Sequence, residues 1–201
     1  MKQKRIITED FFLGNLGDLE ATNEILNAYN KTFGKDVNEV LRNDYSAAVG
    51  GEEKILVDHK IRKCYISWLS VSESNFIEHG LKKILENVNN ISWKMNLDHC
   101  WSGDIQFTKY IGKGDHYDWH KDYYRELSER DGIKLRRLSI VYCLSKKSDY
   151  TGGEFQIRTN NGGVYTSKFD FGDFIVFPSN KLHRVKPLKS GNRITMVGWY
   201  K

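Results

Sequence analysis

Helical periodicity stops near Asp104, and from there the chain reads as short strands separated by turn residues. β-branched and aromatic runs recur near 104–111, 115–120, 136–144, 153–158, 163–168, 173–177, 182–186 and 193–200, with no helical pattern between them. Eight short strands of this kind predict a sandwich or a barrel. Thr159-Asn160-Asn161-Gly162-Gly163 is a turn between two of them, because Asn and Gly tolerate positive φ at little cost. An aromatic share of 13% agrees with a β-rich core.

The first half follows other rules. Leu19, Ile25, Leu26, Tyr29 and Phe33 recur at helical spacing behind Asp18, a candidate N-cap, which predicts a helix ending near Gly34. A weaker helical pattern through Val37, Val40 and Leu41 precedes the break at Gly50-Gly51. Residues 61–71 read as a strand. A second helix follows, capped by Ser72 or Ser74, buried along Phe76, Ile77, Leu81, Ile84, Leu85 and Val88, and ended by Asn89-Asn90. The fold class is therefore α+β, mainly β. We expect one domain over 1–201, with a helical and strand support region over 1–100 and a β core over 101–201. That length can bury a core without disulfides, and 2 prolines provide no Pro-rich linker.

Net charge is +5, but the basic residues are scattered among acids, which disfavours a nucleic-acid partner. Cys64, Cys100 and Cys143 are odd in number and lack Cys-x-x-Cys spacing, so a reducing, cytoplasmic setting is expected. The basic Met1 to Arg5 is followed too soon by Thr8-Glu9-Asp10 for a signal sequence, and no apolar run has transmembrane length.

His120-Lys121-Asp122 sets an imidazole and a carboxylate two positions apart, so in extended chain both project to one side. His183 is the candidate third ligand. Two histidines and one carboxylate can fill one face of an octahedral Fe(II) and leave the opposite face open, whereas a structural zinc site is more often closed by four protein ligands. His116 and Asp118 repeat the same spacing and would share that face in a regular strand, so periodicity leaves the choice between the two pairs open. Arg193 follows His183 by one turn and the return of a neighbouring strand, which would bring a carboxylate-binding guanidinium to the metal's side.

Taken together, Tyr117-x-x-His120-x-Asp122, Gly152-Gly153-Glu154, Gly172-Asp173, Phe177-Pro178, His183 and Gly191-x-Arg193 resemble the prolyl 4-hydroxylase branch of the Fe(II)/2-oxoglutarate-dependent oxygenases, over about Asp104 to Trp199. The resemblance implies a double-stranded β-helix, or jelly-roll, barrel flanked by N-terminal supporting helices. It selects His120, Asp122 and His183 as metal ligands, because Tyr117 matches the tyrosine three residues before the family's metal histidine. It assigns Arg193 to the distal carboxylate of 2-oxoglutarate and Tyr110 to contact with the same cosubstrate; Thr195, which shares Arg193's face two residues on, is placed to donate a hydroxyl to that carboxylate. No catalytic residue beyond the ligands is implied.

The cofactors implied are Fe(II), 2-oxoglutarate and O₂, with ascorbate as a stimulant. Asp122 favours hydroxylation, since halogenating relatives lack the carboxylate. The expected reaction is hydroxylation of an unactivated C–H, coupled to conversion of 2-oxoglutarate to succinate and CO₂. The substrate class is peptidyl or free prolyl, with a peptide or small molecule as partner. The alternatives are an oxygenase acting on another amino acid or a nucleic acid base, and a non-catalytic metal-binding β-barrel. One departure stands out: some prolyl hydroxylases carry a cosubstrate-contacting tyrosine where this chain has Cys143, so Tyr110, Thr195 or a water must replace it. Residues 123–134 read equally as a lid or as a surface loop.

Overall fold

The computed structural model describes residues 6–16, 23, 25, 27, 59–69, 75–97, 101–123 and 136–201. In chain order these form β1 (Ile6–Ile7), β2 (Phe12–Asn15), β3 (Arg62–Lys63), β4 (Tyr65–Leu69), α1 (Asn75–Ser92), β5 (Trp101–Tyr110), β6 (His116–His120) and β7 (Leu138–Cys143). Then come β8 (Tyr150–Gly152), β9 (Phe155–Arg158), β10 (Val164–Thr166), β11 (Asp173–Pro178), β12 (His183–Val185), β13 (Leu188–Gly191) and β14 (Arg193–Tyr200). A seven-stranded sheet runs β1-β2-β11-β7-β14-β5-β4 and faces a five-stranded sheet, β10-β9-β12-β6-β3, while β13 and β8 pair separately. Every pairing is antiparallel. This is the double-stranded β-helix expected from the sequence.

Strand parity divides the large sheet into two buried faces. Ile105, Phe107, Leu138, Ile140, Tyr142, Val176 and Met196 point outward into one core cluster. Tyr110, Val141, Cys143, Ile175 and Phe177 point inward, where Phe155, Ile157 and Val185 of the small sheet meet them. β7 is consequently buried along its whole length. α1 covers the outward face. Its Ile77, Leu81, Leu85 and Val88 recur on one side of the helix and are all buried in that cluster. Side chains of this kind contribute roughly 1.5–3 kcal/mol each relative to exposure.

α1 runs to Ser92, past the Asn89-Asn90 stop expected from the sequence. The side chain of Asn89 is buried, accepting from the Met95 backbone N–H and donating to the Met95 carbonyl, so it braces the helix end from within. Lys94 closes the helix at φ 52. Of the helix expected over 18–34, residues 23, 25 and 27 are described and helical, with Ile25 in the outer cluster. Its remainder, the pattern through 37–41, the Ser72 or Ser74 cap and nearly all of the 123–134 segment lie outside the described residues. Among the described residues no helix is long and apolar enough to cross a membrane.

Three features were not read from the sequence. β1 and β2 extend the large sheet next to β11, and β8 with β13 forms a small ribbon beside Arg193. The third is an irregularity in β6, where Val185 and His183 pair with Tyr117 and His120, so two steps on β12 match three on β6. An extra residue of this kind reverses the parity of the strand beyond it.

Candidate metal centre

That bulge decides which histidine enters the interior. It puts His120 on the same side as Tyr117, and the two rings stack with centroids 3.4 Å apart. His116 and Asp118 fall away from the site. Both ring nitrogens of His116 lie against backbone carbonyls, those of Gly114 and Lys60, and the exposed Asp118 side chain accepts from the Trp119 N–H. The second His-x-Asp thus has no place in the cluster.

His120 ends β6, Asp122 follows two residues later, and His183 opens β12 directly opposite His120. Their ligand atoms all lie within 4.8 Å of one another. Asp122 Oδ1 is 3.7 Å from His120 Nε2 and 3.6 Å from His183 Nε2. The far nitrogen of each ring is tied to the backbone two residues upstream, His120 Nδ1 to the Asp118 carbonyl at 2.7 Å and His183 Nδ1 to the Lys181 carbonyl at 2.9 Å. A carbonyl only accepts, so in each neutral ring the proton sits on Nδ1 and the Nε2 lone pair faces the cluster.

Asp122 is divided the same way. Its Oδ2 accepts from Ser139 Oγ at 2.6 Å and from Trp199 Nε1 at 3.0 Å, which leaves Oδ1 for the imidazoles. Ser139 and Trp199 are partners across β7 and β14, and Ser139 Oγ is 2.8 Å from Ser179 Oγ. Burial and the second imidazole, His183, hold His120 well below the ordinary histidine range. Burial also works against ionisation of Asp122, yet the facing His183 and His120 and the Ser139 hydroxyl keep its carboxyl below the usual range. With both rings neutral, three lone-pair donors converge, a donor set suited to a divalent cation such as Fe(II).

The cradle of Ser139, Ser179 and Trp199 escaped the sequence reading. A serine inside the otherwise apolar Leu-Ser-Ile-Val-Tyr-Cys strand was the available signal, since a buried hydroxyl needs a partner. Removing the Ser139 hydroxyl should free Asp122 to rotate. We expect Ser139→Ala to lower the affinity for Mn(II), a redox-silent stand-in for Fe(II), roughly 10-fold in a calorimetric titration, at the low end of what such supporting partners contribute.

Arg193 opens β14 and is 1% exposed. Its Nε, Nη1 and Nη2 are buried and make no hydrogen bond among the described residues. Tyr110 is its partner on β5, with the guanidinium carbon 5.2 Å from the ring centre. Thr195, also buried, shares its inward face two residues on. An unpaired buried guanidinium calls for an anion. A carboxylate such as the distal one of 2-oxoglutarate fits, being matched by the two-pronged donor.

Two more residues at this interior were missed. Arg62, buried on β3, donates to Gln106 and lies 4.3 Å from the centre of the Tyr117 ring. Tyr150 of β8 brings its hydroxyl beside Arg193 and Cys143. Cys143 is fully buried on the inward face, where it acts as a small filler. Trp119 lies against Arg158 and Arg184, whose guanidinium carbons are 5.2 and 4.6 Å from its ring.

Residues 105–201 match the family model of the 2OG-Fe(II) oxygenase superfamily. A PKHD-type hydroxylase of Prochlorococcus marinus is 40% identical over 95 residues, which are 47% of this chain and 40% of that protein. The chain thus spans about two-fifths of the length of the curated relatives it matches. Its fold is like that of a prolyl-4-hydroxylase of Pseudomonas putida, with a TM-score of 0.70 at 17% identity over 96% of this chain and 94% of that one. A prolyl hydroxylase of Trichoplax adhaerens, solved with a hypoxia inducible factor oxygen degradation domain peptide fragment, gives 0.65 at 20% identity over 96% and 84%. Over residues 105–201 the chain is thus similar to the 2OG-Fe(II) oxygenase superfamily, and its fold is like that of prolyl hydroxylases.

Proposed function

We propose that this protein is an Fe(II)- and 2-oxoglutarate-dependent hydroxylase acting on a peptidyl or free prolyl-type substrate. The observation that carries the reading is the pairing of two opposite needs in one interior. A carboxylate between two imidazoles suits a divalent cation, and the Arg193 guanidinium, without a hydrogen-bond partner among the described residues, calls for an anion. His120, Asp122 and His183 would hold the iron, Arg193 with Thr195 would hold 2-oxoglutarate by its distal carboxylate, and Tyr110 would contact the same cosubstrate.

When bound, iron with 2-oxoglutarate and O₂ supplies the oxidising equivalent for an unactivated C–H, and the 2-oxo acid leaves as succinate and CO₂. The chain's own part is geometric. Asp118 and Lys181 carbonyls fix the imidazoles, Ser139 and Trp199 fix the carboxylate, and the aromatic interior of Phe155, Phe177 and Tyr117 keeps water from the reacting centre. None of these groups needs to move a proton. The prolyl substrate class is supported by the likeness to prolyl hydroxylases, one of them solved with a peptide. Buried free thiols at Cys64 and Cys143 support a reducing, cytoplasmic setting.

The test is succinate formation with Fe(II), 2-oxoglutarate and ascorbate, screened over prolyl peptides, free amino acids and oligonucleotides. We expect prolyl compounds to stimulate turnover stoichiometrically with their own hydroxylation. No succinate under any condition would leave the barrel as a metal-binding module, and stimulation by oligonucleotides alone would move the substrate class.

A further inference from the structure

A carboxylate presents two oxygens with about four lone-pair sites. A guanidinium fork addresses two of them, and in a closed interior the others need donors from neutral groups. Around Arg193 the Thr195 hydroxyl is one such donor, and beyond it the choice is narrow. Tyr110 offers the guanidinium the face of its ring, and its hydroxyl lies within reach of the Cys64 thiol. Cys143 spends its thiol on the Ser145 carbonyl, 3.3 Å away.

Tyr150 reaches the same place from a different strand. β8 pairs with β13 so that Tyr150 stands opposite Gly191, two residues before Arg193. A Cβ on Gly191 would lie 2.0 Å from the Asp149 carbonyl oxygen and 2.8 Å from Tyr150 Cα, and Gly191 holds φ +80. Only glycine lets the two backbones come this close. At Gly153, φ +62, a Cβ would meet Arg193 Cδ at 3.1 Å and Tyr150 Cδ2 at 3.8 Å, so the arginine stem and the tyrosine ring close on one point. The Gly-Gly and Gly-x-Arg motifs thus share one structural consequence: they press β8 and its tyrosine against the base of the Arg193 strand.

We infer that Tyr150 binds the cosubstrate, its phenol donating to the distal carboxylate of 2-oxoglutarate beside Arg193 and so filling the place that Cys143 leaves without a hydroxyl. The inference rests on the 2-oxoglutarate dependence proposed above. Burial pushes the Tyr150 phenol up to about 12, so it keeps its proton, and its capacity to donate, throughout the neutral range.

Tyr150→Phe removes one oxygen and keeps the ring. Wild-type, Y150F and R193M proteins loaded with Mn(II) are titrated calorimetrically with 2-oxoglutarate and with 2-oxobutyrate, which has the same 2-oxo acid end but no distal carboxylate. Y150F should bind 2-oxoglutarate about tenfold more weakly, as expected for a lost hydrogen bond to a charged group, and should bind 2-oxobutyrate as the wild type does, with Mn(II) affinity unchanged. Wild-type 2-oxoglutarate affinity in Y150F, beside an R193M protein that has lost its preference for the diacid, would overturn the role of Tyr150 alone. Equal weakening toward both ligands would also overturn it, since that marks general support of the pocket. A wild-type protein with no preference for 2-oxoglutarate over 2-oxobutyrate would sink the cosubstrate reading itself, and this inference with it.

Discussion

Asp122→Ala is expected to abolish succinate formation and to weaken Mn(II) binding by more than the roughly 10–100-fold that loss of a ligand's supporting partner costs. The substitution takes away the only charged donor of the cluster, Oδ1, which sits 3.6–3.7 Å from both imidazole nitrogens. What remains is two neutral imidazoles, too few to hold a divalent ion against water. It also orphans two donors, Ser139 Oγ and Trp199 Nε1, both now spent on Oδ2. Circular dichroism and the melting temperature distinguish loss of metal from loss of fold. A folded variant with wild-type Mn(II) affinity and turnover would remove Asp122 from the metal centre.

Arg193→Met should move two measurements in opposite directions. The guanidinium is 1% exposed and has no hydrogen-bond partner among the described residues, so without ligand its burial costs stability. Replacing buried charge by an apolar chain of similar length stabilises proteins by about 1–4 kcal/mol, or roughly 2–4 °C of melting temperature per kcal/mol at this size. The ligand-free variant should therefore melt higher than the wild type. Its affinity for 2-oxoglutarate should fall at least 10-fold, because a charge-assisted contact of about 1.5–3 kcal/mol is lost. Added 2-oxoglutarate, which should raise the melting temperature of the Mn(II)-loaded wild type, should leave the Mn(II)-loaded variant unmoved. A variant that melts lower and still binds 2-oxoglutarate tightly would show that another group holds the cosubstrate.

The two effects share a cause. Among the described residues this interior holds a carboxylate, Asp122, set against two imidazoles, and a guanidinium, Arg193, with no hydrogen-bond partner. A globular core without a ligand would have paired or removed them. Trp199 links the cluster to the surface, since its indole donates to Asp122 while Arg136 stacks on its ring at 3.8 Å and the exposed Trp68 lies 6.0 Å away.

Strand positions after Asp104 were legible because period-2 burial writes itself into residue type. Leu138, Ile140 and Tyr142 serve one face of β7 while Ser139, Val141 and Cys143 serve the other. β8 and β13 were invisible for the opposite reason: Thr151, Lys189, Ser190 and Gly191 are mostly exposed and carry no apolar alternation. Tyr150 was passed over with them. β2 went unread because Phe12 and Leu13 are both buried, and a short apolar run of that kind has no period to detect.

By itself the sequence determined the barrel class, the α1 stripe and the short list of groups with metal and carboxylate chemistry, since each follows from residue type and local spacing. Spacing left His120 and His116 open and only the likeness at Tyr117 chose between them; the tertiary structure supplies the physical reason, because one extra residue in β6 reverses which side chains face inward. It also decided what surrounds Arg193. Burial without a partner and the approach of Tyr150 are relations between strands far apart in the chain, set by how two sheets close and by the glycines that let their backbones touch.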